Sequence, residues 1–133
     1  MAMCKLQVFL LCESACVSRE PDNRVSLHHL FDRIILPRTP ERTDITIVWA
    51  YYKIVADAPC TVALRVTDPR QREVPGNRRH SIEQGGRVRG VWALDTGLFT
   101  EPGQYLLELQ EVTHVSQPNC LASIPLVVEK EGQ

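Results

Sequence analysis

The chain has 133 residues, which suits a single domain spanning 1–133, and folding at this length buries roughly two-thirds of the unfolded surface. Apolar residues make up 44% and charged residues 23%, which excludes the apolar-poor, highly charged profile of a disordered chain. A net charge of −1 gives no global attraction to nucleic acid or to an acidic membrane, so such contacts would need a local patch.

The opening segment can be interpreted as an export signal or as the first strand of the fold. Its apolar run, residues 6–12, is interrupted by Gln7 and followed directly by Glu13, whereas an export signal needs an apolar core of about 7–15 residues. With a period of two, one fully apolar face consists of Leu6, Val8, Leu10 and Cys12. We therefore expect a strand at about 5–13. No apolar run approaches the ~20 residues of a membrane span. Because the opening segment is interpreted as a strand and not as an export signal, we expect a cytoplasmic protein.

The segment RVSLHHLFDRIILP, residues 24–37, is compatible with two conformations. An amphipathic helix would align Leu27, Leu30, Phe31, Ile34 and Ile35. A strand would instead align Val25, Leu27, Phe31 and Ile35. The pattern leaves helix or strand open for 25–36, and the neighbouring strands favour a strand, with a bulge, over 24–35. His28 and His29 are interpreted as packing or surface residues.

Five further strands are predicted at 43–54, 60–67, 87–96, 103–113 and 119–129, where β-branched and aromatic residues alternate between turn signals. The strand at 43–54 is apolar on both faces, which predicts a central strand or a covered outer face. Pro125 cannot donate to a ladder, so the last strand should run along a sheet edge there. The whole pattern predicts an all-β fold, a seven-stranded antiparallel immunoglobulin-like β-sandwich.

The segment EPGQYLLEL supports that topology. Gly103 and Tyr105 lie at a corner that leads into the sixth strand, as in the tyrosine corner of immunoglobulin-like sandwiches, where the phenol bonds to upstream backbone. A turn followed by an ordinary core tyrosine is the alternative. The buried tryptophan of such folds is expected to be Trp49, on the third strand.

The five cysteines do not have the even count or regular spacing of a secreted disulfide framework. We expect Cys12, Cys60 and Cys120 to be small apolar strand residues that stay reduced. A metal site would have to combine Cys12, Cys16, His28 and His29. The C-x-x-x-C spacing lacks the paired geometry of structural zinc sites, and adjacent histidines on a strand point to opposite faces. We therefore predict no metal and no other cofactor.

The order of LQVFLLCES, RVSLHHLFDRIILPRTP, CTVALRVTDPRQREV, EPGQYLLELQ and LASIPLVVEK resembles a bacterial family of small β-sandwich proteins that is known only as a domain of unknown function. The resemblance covers most of the chain, and the order of the motifs carries it. The hairpin departs from the pattern, because Arg70 and Gln71 stand where a tight D-P-x-G turn would be expected. The resemblance implies a β-sandwich and supplies no catalytic residues.

The connection between the fourth and fifth strands is rich in arginine. Half of the chain's twelve arginines lie in it: Arg70, Arg72, Arg78, Arg79, Arg87 and Arg89. The planar guanidinium matches phosphates and carboxylates, so these residues are candidates for binding an anion, a nucleic acid or an acidic partner. The alternative is a solvated connection whose charges protect sheet edges. Nucleic acid is disfavoured because no interleaved aromatic is present for base stacking.

No nucleophile elbow, P-loop, dinucleotide glycine motif or H-E-x-x-H occurs in the chain. A Cys–His nucleophile pair such as Cys16 and His28 is the enzyme alternative, and it lacks any feature that would fix its geometry. We therefore predict a non-enzymatic interaction or accessory module that binds another protein or its own copy. Anion or nucleic-acid binding through 70–89 is the second hypothesis. No small-molecule substrate is indicated.

Overall fold

The computed structural model describes residues 4–17, 25–30, 33–36, 47–112 and 118–130. These ranges contain nine strands, one short 3-10 turn at Thr96–Leu98 and no α-helix. The strands are β1 (Cys4–Val17), β2 (Val25–Leu30), β3 (Arg33–Leu36), β4 (Ile47–Ala56), β5 (Cys60–Thr67), β6 (Arg79–Ile82), β7 (Gly86–Asp95), β8 (Gly103–Glu111) and β9 (Asn119–Lys130). The all-β prediction is confirmed.

The strands form two sheets. Sheet I has the order β2-β1-β4-β7, and sheet II has the order β3-β9-β8-β5-β6. Neighbouring strands are antiparallel except for β3, which pairs in parallel with β9. Apolar side chains of both sheets pack in one core, as two layers of extended chain require.

Each of the seven predicted strand regions contains a strand, and two details differ. The region 24–35 holds two strands in different sheets, because β2 pairs with β1 whereas β3 pairs with β9. A chain that crosses between sheets must leave one hydrogen-bond ladder before it joins the next. The prediction of one continuous strand over this region was therefore wrong. The short β6 was not predicted, because only four residues pair with β5 and the arginines there obscure any alternation.

Strand β4 lies between β1 and β7, as its two apolar faces predicted. The residues that face sheet II are all buried: Val48, Ala50, Tyr52, Ile54 and Ala56. Trp49 lies on the opposite face and is half-buried, so the expectation that it is the core tryptophan was wrong. The tryptophan that is buried in the core is Trp92 on β7, which is 7% exposed and packs against Tyr52 with ring centroids 4.9 Å apart. A strand with two apolar faces does not reveal which face turns inward.

Strand β1 contains an irregularity that reverses its pattern. The pairing with β4 shifts between Leu6 and Val8. A bulge of this kind adds one residue and exchanges the faces beyond it. Phe9 and Leu11 therefore enter the core, and Leu10 lies with Val8 on the outer side of sheet I. The predicted apolar face is thus the outer face beyond the bulge.

The corner before β8 contains the predicted hydrogen bond between the Tyr105 phenol and the upstream backbone. The Tyr105 hydroxyl accepts a hydrogen bond from the backbone N–H of Glu101 at 3.1 Å, and the phenol ring is 1% exposed. Phe99 packs against this ring edge to face. Gly103 has a φ of 135°, and a Cβ there would lie 2.8 Å from Pro69, so both the turn and the close approach require glycine.

Pro125 and the cysteines of the described strands lie as follows. β3 pairs with β9 from Val127 onward, so among the described strands Pro125 has β8 alone as a neighbour, as expected for an edge. Cys12 and Cys60 are buried free thiols, as predicted. Cys120 is also a free thiol in a strand, as predicted, but it is exposed near the start of β9. The Cys16 side chain lies outside the described part.

Candidate binding surface

The six candidate arginines occupy three different environments. Arg70 and Arg72 lie in the turn after β5, Arg78 and Arg79 lie before and at the start of β6, and Arg87 and Arg89 lie on β7. The structure does not bring the six together. The three pairs therefore form three separate candidate sites for an anion or an acidic partner.

Asp68 organises the first environment. Its Oδ1 accepts hydrogen bonds from the backbone N–H groups of Arg70 at 2.9 Å and Arg72 at 2.8 Å. Its Oδ2 accepts a third bond from the Arg72 Nε at 3.1 Å. The backbone N–H of Arg72 is the main cause that lowers the pKa of the Asp68 carboxyl, followed by that of Arg70. This is an aspartate turn whose own carboxylate satisfies the nearest cations.

Glu101 completes the charge balance in this turn. Its Oε2 lies 3.4 Å from the Arg70 Nε, and its Oε1 lies 3.3 Å from the Arg72 Nη2. The adjacent surface depression is lined by three carboxylates, those of Asp68, Glu73 and Glu101. An incoming anion would have to displace these carboxylates, so Arg70 and Arg72 do not form an open anion site.

Arg78 has a structural role in the loop before β6. Its Nη2 donates to the Val74 carbonyl at 2.9 Å and its Nη1 to the Pro75 carbonyl at 3.3 Å. Its Nε is buried without a partner within the described residues. Burial lowers the pKa of the guanidinium. Arg78 therefore closes the 74–78 loop on itself, whereas Arg79 is exposed opposite Ala63.

Arg87 and Arg89 lie on the outer face of sheet I beside two lysines. Arg89 pairs with Lys53 on β4, and Arg87 pairs with Val55. Val55 in turn pairs with Lys5 on β1. Directly opposed residues of an antiparallel pair share a face, so the four cations project from one side of the sheet. We call this surface the basic face and define it as Lys5, Lys53, Arg87 and Arg89.

The basic face is exposed and is not neutralised by carboxylates of the described residues. Lys5, Arg87 and Arg89 are exposed, and Lys53 is half-buried. A shallow depression of about 230 Å³ lies between Lys53 and the two arginines. Two of the chain's three lysines contribute to this surface. Sequence analysis missed both, because only the strand register brings Lys5 and Lys53 beside 87–89.

An apolar band continues the same sheet surface. Moving along the strands away from the basic face, the next two cross-strand rows are Leu10–Tyr51–Val91 and Cys12–Trp49–Ala93. Tyr51 and Cys12 are buried, and Trp49 is half-buried. The outer side of sheet I is therefore cationic at one end and apolar at the other.

An aromatic cluster lies where β6 and β7 meet at the open side of the sandwich. The His80 ring stacks on Trp92 at a centroid distance of 4.4 Å and 11° between planes. Its Nδ1 lies 2.8 Å from the Tyr52 hydroxyl. Burial lowers the pKa of His80 and raises that of Tyr52 to about 12. Sequence analysis did not single out His80, which joins the two sheets without a catalytic partner among the described groups.

The described ranges show no metal cluster and no membrane-spanning helix. They contain no group of three or more histidine, cysteine or acidic side chains placed to hold a metal ion. None of their helices is long and apolar enough to cross a membrane. The Cys16–His28 pair cannot be compared with its prediction, because both side chains lie outside the described part.

Comparisons with known proteins give information on the fold and none on the function. No family model matches the sequence, and no curated protein matches it. The crystal structure of the C-terminal domain of Wzt is similar with a TM-score of 0.56 and 11% identity, covering 98% of this chain and 76% of that chain. A Bifidobacterium adolescentis GH3 beta-glucosidase is similar with a TM-score of 0.51 and 13% identity over 98% of this chain. The chain spans 18% of that glucosidase chain.

Proposed function

We propose that the chain is a non-enzymatic interaction module that binds an acidic segment of a partner protein through the basic face. The observation that carries this proposal is the set of four cations, Lys5, Lys53, Arg87 and Arg89, on one outer sheet surface without a described carboxylate to pair with. Cations without partners are electrostatically available, whereas paired ones must first be freed.

The geometry of the basic face suits carboxylates. Arg87 and Arg89 are two residues apart on one strand, so their side chains rise from the same face about 7 Å apart. Each guanidinium can donate two parallel hydrogen bonds to one carboxylate. The lysines add point charges beside the two arginines. The residues of the neighbouring apolar band that keep accessible surface, Leu10, Trp49 and Val91, would supply area that a charge pair alone does not provide.

An acidic polypeptide is favoured over nucleic acid by what accompanies the charges. Proteins that hold duplex DNA tightly neutralise about 6–10 phosphates, more than this face offers. Single strands are held by bases stacked on accessible aromatic rings. The nearest aromatic on the face, Tyr51, is buried in the sheet surface. A second copy of the chain docked face to face would bring a second basic face and repel the first.

We also propose that the sandwich belongs to the immunoglobulin-like type, as the strand pattern and the tyrosine corner predict from the sequence. In support, β4 and β7 are neighbours in sheet I, and β5, β8 and β9 are consecutive in sheet II, which corresponds to strands B and E and strands C, F and G of that topology. The Tyr105 bond at the entry to β8 is further support. The insertion of β1 between β2 and β4 is a departure.

We further propose a cytoplasmic location, supported by the four free thiols of the described residues.

The test is binding to fluorescein-labelled polyglutamate, followed by fluorescence anisotropy at low salt. Neutralising Arg87→Gln together with Arg89→Gln is expected to weaken binding by roughly tenfold, because two charge-assisted contacts are lost. The matched control is Arg70→Gln with Arg72→Gln, which changes the net charge equally and should leave affinity within about twofold. Equal losses in both pairs would show attraction to net charge only and would overturn the proposal.

A duplex DNA probe of the same label serves as the second arm. We expect weaker binding than to polyglutamate at equal salt. Tighter binding to DNA, lost in the Arg87→Gln/Arg89→Gln protein, would replace the acidic partner by nucleic acid.

A further inference from the structure

A buried cluster of two thiols and a carboxylate lies at one end of the sandwich, apart from the basic face. Cys4 is the first residue of β1 in sheet I. Cys60 begins β5 and Glu111 ends β8, both in sheet II. The three residues are 3%, 4% and 7% exposed. The cluster therefore spans the core from one sheet to the other.

The three side chains form a directed hydrogen-bond chain. The Cys60 thiol donates to the Cys4 Sγ at 3.9 Å. The Cys4 thiol donates to the Glu111 Oε1 at 3.0 Å, and the Cys4 backbone N–H donates to the same oxygen at 3.2 Å. Glu111 therefore holds Cys4 by two groups, and the Cys4 sulfur lies in contact with that of Cys60. Two sulfurs in contact across the two sheets indicate a paired thiol site, whereas a single buried cysteine would indicate packing alone.

We propose that Cys4 and Cys60 form an oxidisable dithiol site, which a peroxide converts to a disulfide that joins the two sheets. One sulfur attacks a peroxide oxygen, the O–O bond breaks, and a sulfenic acid and one water result. The second sulfur then displaces the sulfenic oxygen as a second water while the S–S bond forms. Overall, two thiols and one hydrogen peroxide give one disulfide and two waters.

The required movement is small and involves sulfur atoms that already touch. A disulfide needs an S–S distance of about 2.0 Å, so the sulfurs must approach by roughly 2 Å, largely through rotation about the Cα–Cβ bonds. Cys60 begins its strand, where the chain yields more readily than at mid-strand. The other buried thiol, that of Cys12, donates to the Trp49 carbonyl at 3.7 Å instead.

The environment determines the speed of this reaction. Burial, followed by the hydrogen bond to Glu111, raises the pKa of Cys4, and burial also raises the pKa of Cys60. Both groups are therefore protonated at neutral pH, and the thiolate is the reactive form. The site should oxidise more slowly than an exposed low-pKa thiol. Reaction is expected on local opening of the first residues of β5, and the disulfide would then hold that end of β5 to β1.

The experiment uses the chain with Cys16→Ser and Cys120→Ser, which keeps Cys4, Cys12 and Cys60 as the remaining cysteines. The folded protein is treated with hydrogen peroxide, denatured, alkylated with N-ethylmaleimide, digested with trypsin and analysed by mass spectrometry. Trypsin cuts after Lys5 and so separates Cys4 from Cys12. We expect a Cys4–Cys60 linked peptide that dithiothreitol removes, with Cys12 alkylated.

Thermal unfolding of the same samples gives a second readout. The cross-link connects residues 56 positions apart, so it should raise the Tm by roughly 10 °C through the lost freedom of the unfolded chain. The proposal is overturned if Cys4 and Cys60 remain alkylated after peroxide, or if the linked pair appears only in urea. Adding Cys60→Ser should abolish the linked peptide, and the mapping in the parent variant decides the question even if that substitution prevents folding.

Discussion

Two arginine pairs of this chain lie only fifteen residues apart in sequence and have opposite surroundings. Arg70 and Arg72 are enclosed by the carboxylates of Asp68 and Glu101. Arg87 and Arg89 stand on an open sheet surface beside Lys53. The difference teaches that a count of arginines in a segment measures neither the field it presents nor its freedom to bind. Local turns and strand register decide both.

The first pair supports the fold and the second is available to a partner. The Asp68 turn uses its charges to satisfy backbone N–H groups and to connect the turn to Glu101, whose own backbone is bonded to Tyr105. The basic face makes no such internal contacts among the described residues. Substitutions in the first region should therefore change stability, and substitutions in the second should change binding.

The largest expected effect is a loss of stability caused by a substitution in β7, the strand that carries Arg87 and Arg89. A Cβ at Gly90 would lie 2.5 Å from the Tyr52 hydroxyl and 2.6 Å from the carbon that bears it. Gly90→Ala should therefore lower the free energy of unfolding by about 2–3 kcal/mol, because a buried tyrosine must move in a packed core. Urea unfolding measures this change. The exposed neighbour on the same strand supplies the control, since Ala93→Ser should cost less than ~0.5 kcal/mol. An equal cost in the two variants would refute the close packing of β7 on Tyr52.

The next effect concerns the corner that supports the paired arginines. Tyr105→Phe removes the acceptor of the Glu101 backbone N–H and should lower the free energy of unfolding by about 1–2 kcal/mol. Tyr51→Phe is the matched control, because no described residue bonds the Tyr51 hydroxyl, and we expect little change. Polyglutamate affinity should be the same in both variants. A fall in affinity for Tyr105→Phe alone would contradict the separation of the two regions.

A smaller effect is a pH dependence that originates between the sheets. Burial against Trp92 and Tyr52 lowers the pKa of His80 in the folded state, so the unfolded chain takes up the proton first as the pH falls. Stability should therefore decline from about pH 6.5 downward and be unaffected above it. Tm measured between pH 5 and 8 tests this, with His80→Phe as the control that keeps a stacked ring without a titration. An identical pH profile in that variant would assign the dependence to other groups.

The smallest effect belongs to the Asp68 turn. Because the hydrogen bonds from Arg72 and Arg70 lower the pKa of Asp68, the stability it contributes is present above its unfolded pKa of about 3.9 and is lost as the pH falls below it. Asp68→Asn should flatten the decline in Tm below pH 4, whereas Asp57→Asn, at an exposed turn position, should not. A decline that persists unchanged in Asp68→Asn would place the acid sensitivity elsewhere.

The sequence predicted the strands and missed their arrangement for definable reasons. Alternation located β5 and β8, whose faces differ clearly in polarity. It misassigned β4 and β1, because Trp49 and Tyr52 are both large and apolar and because a one-residue bulge after Leu6 leaves no mark in composition. The division of the six predicted arginines among three environments was missed for a related reason. Only the pairing of β4 with β1 and β7 places Lys5 and Lys53 beside Arg89.

The central claim is that the basic face, and not the Asp68 turn, meets an acidic partner. The most direct measurement is a ¹⁵N–¹H correlation spectrum of the labelled protein titrated with unlabelled polyglutamate. We predict saturable shifts that are largest at the amides of Lys5, Lys53, Arg87 and Arg89 and small at 68–73 and Glu101. Shifts concentrated in the turn, or none that saturate, would contradict the account.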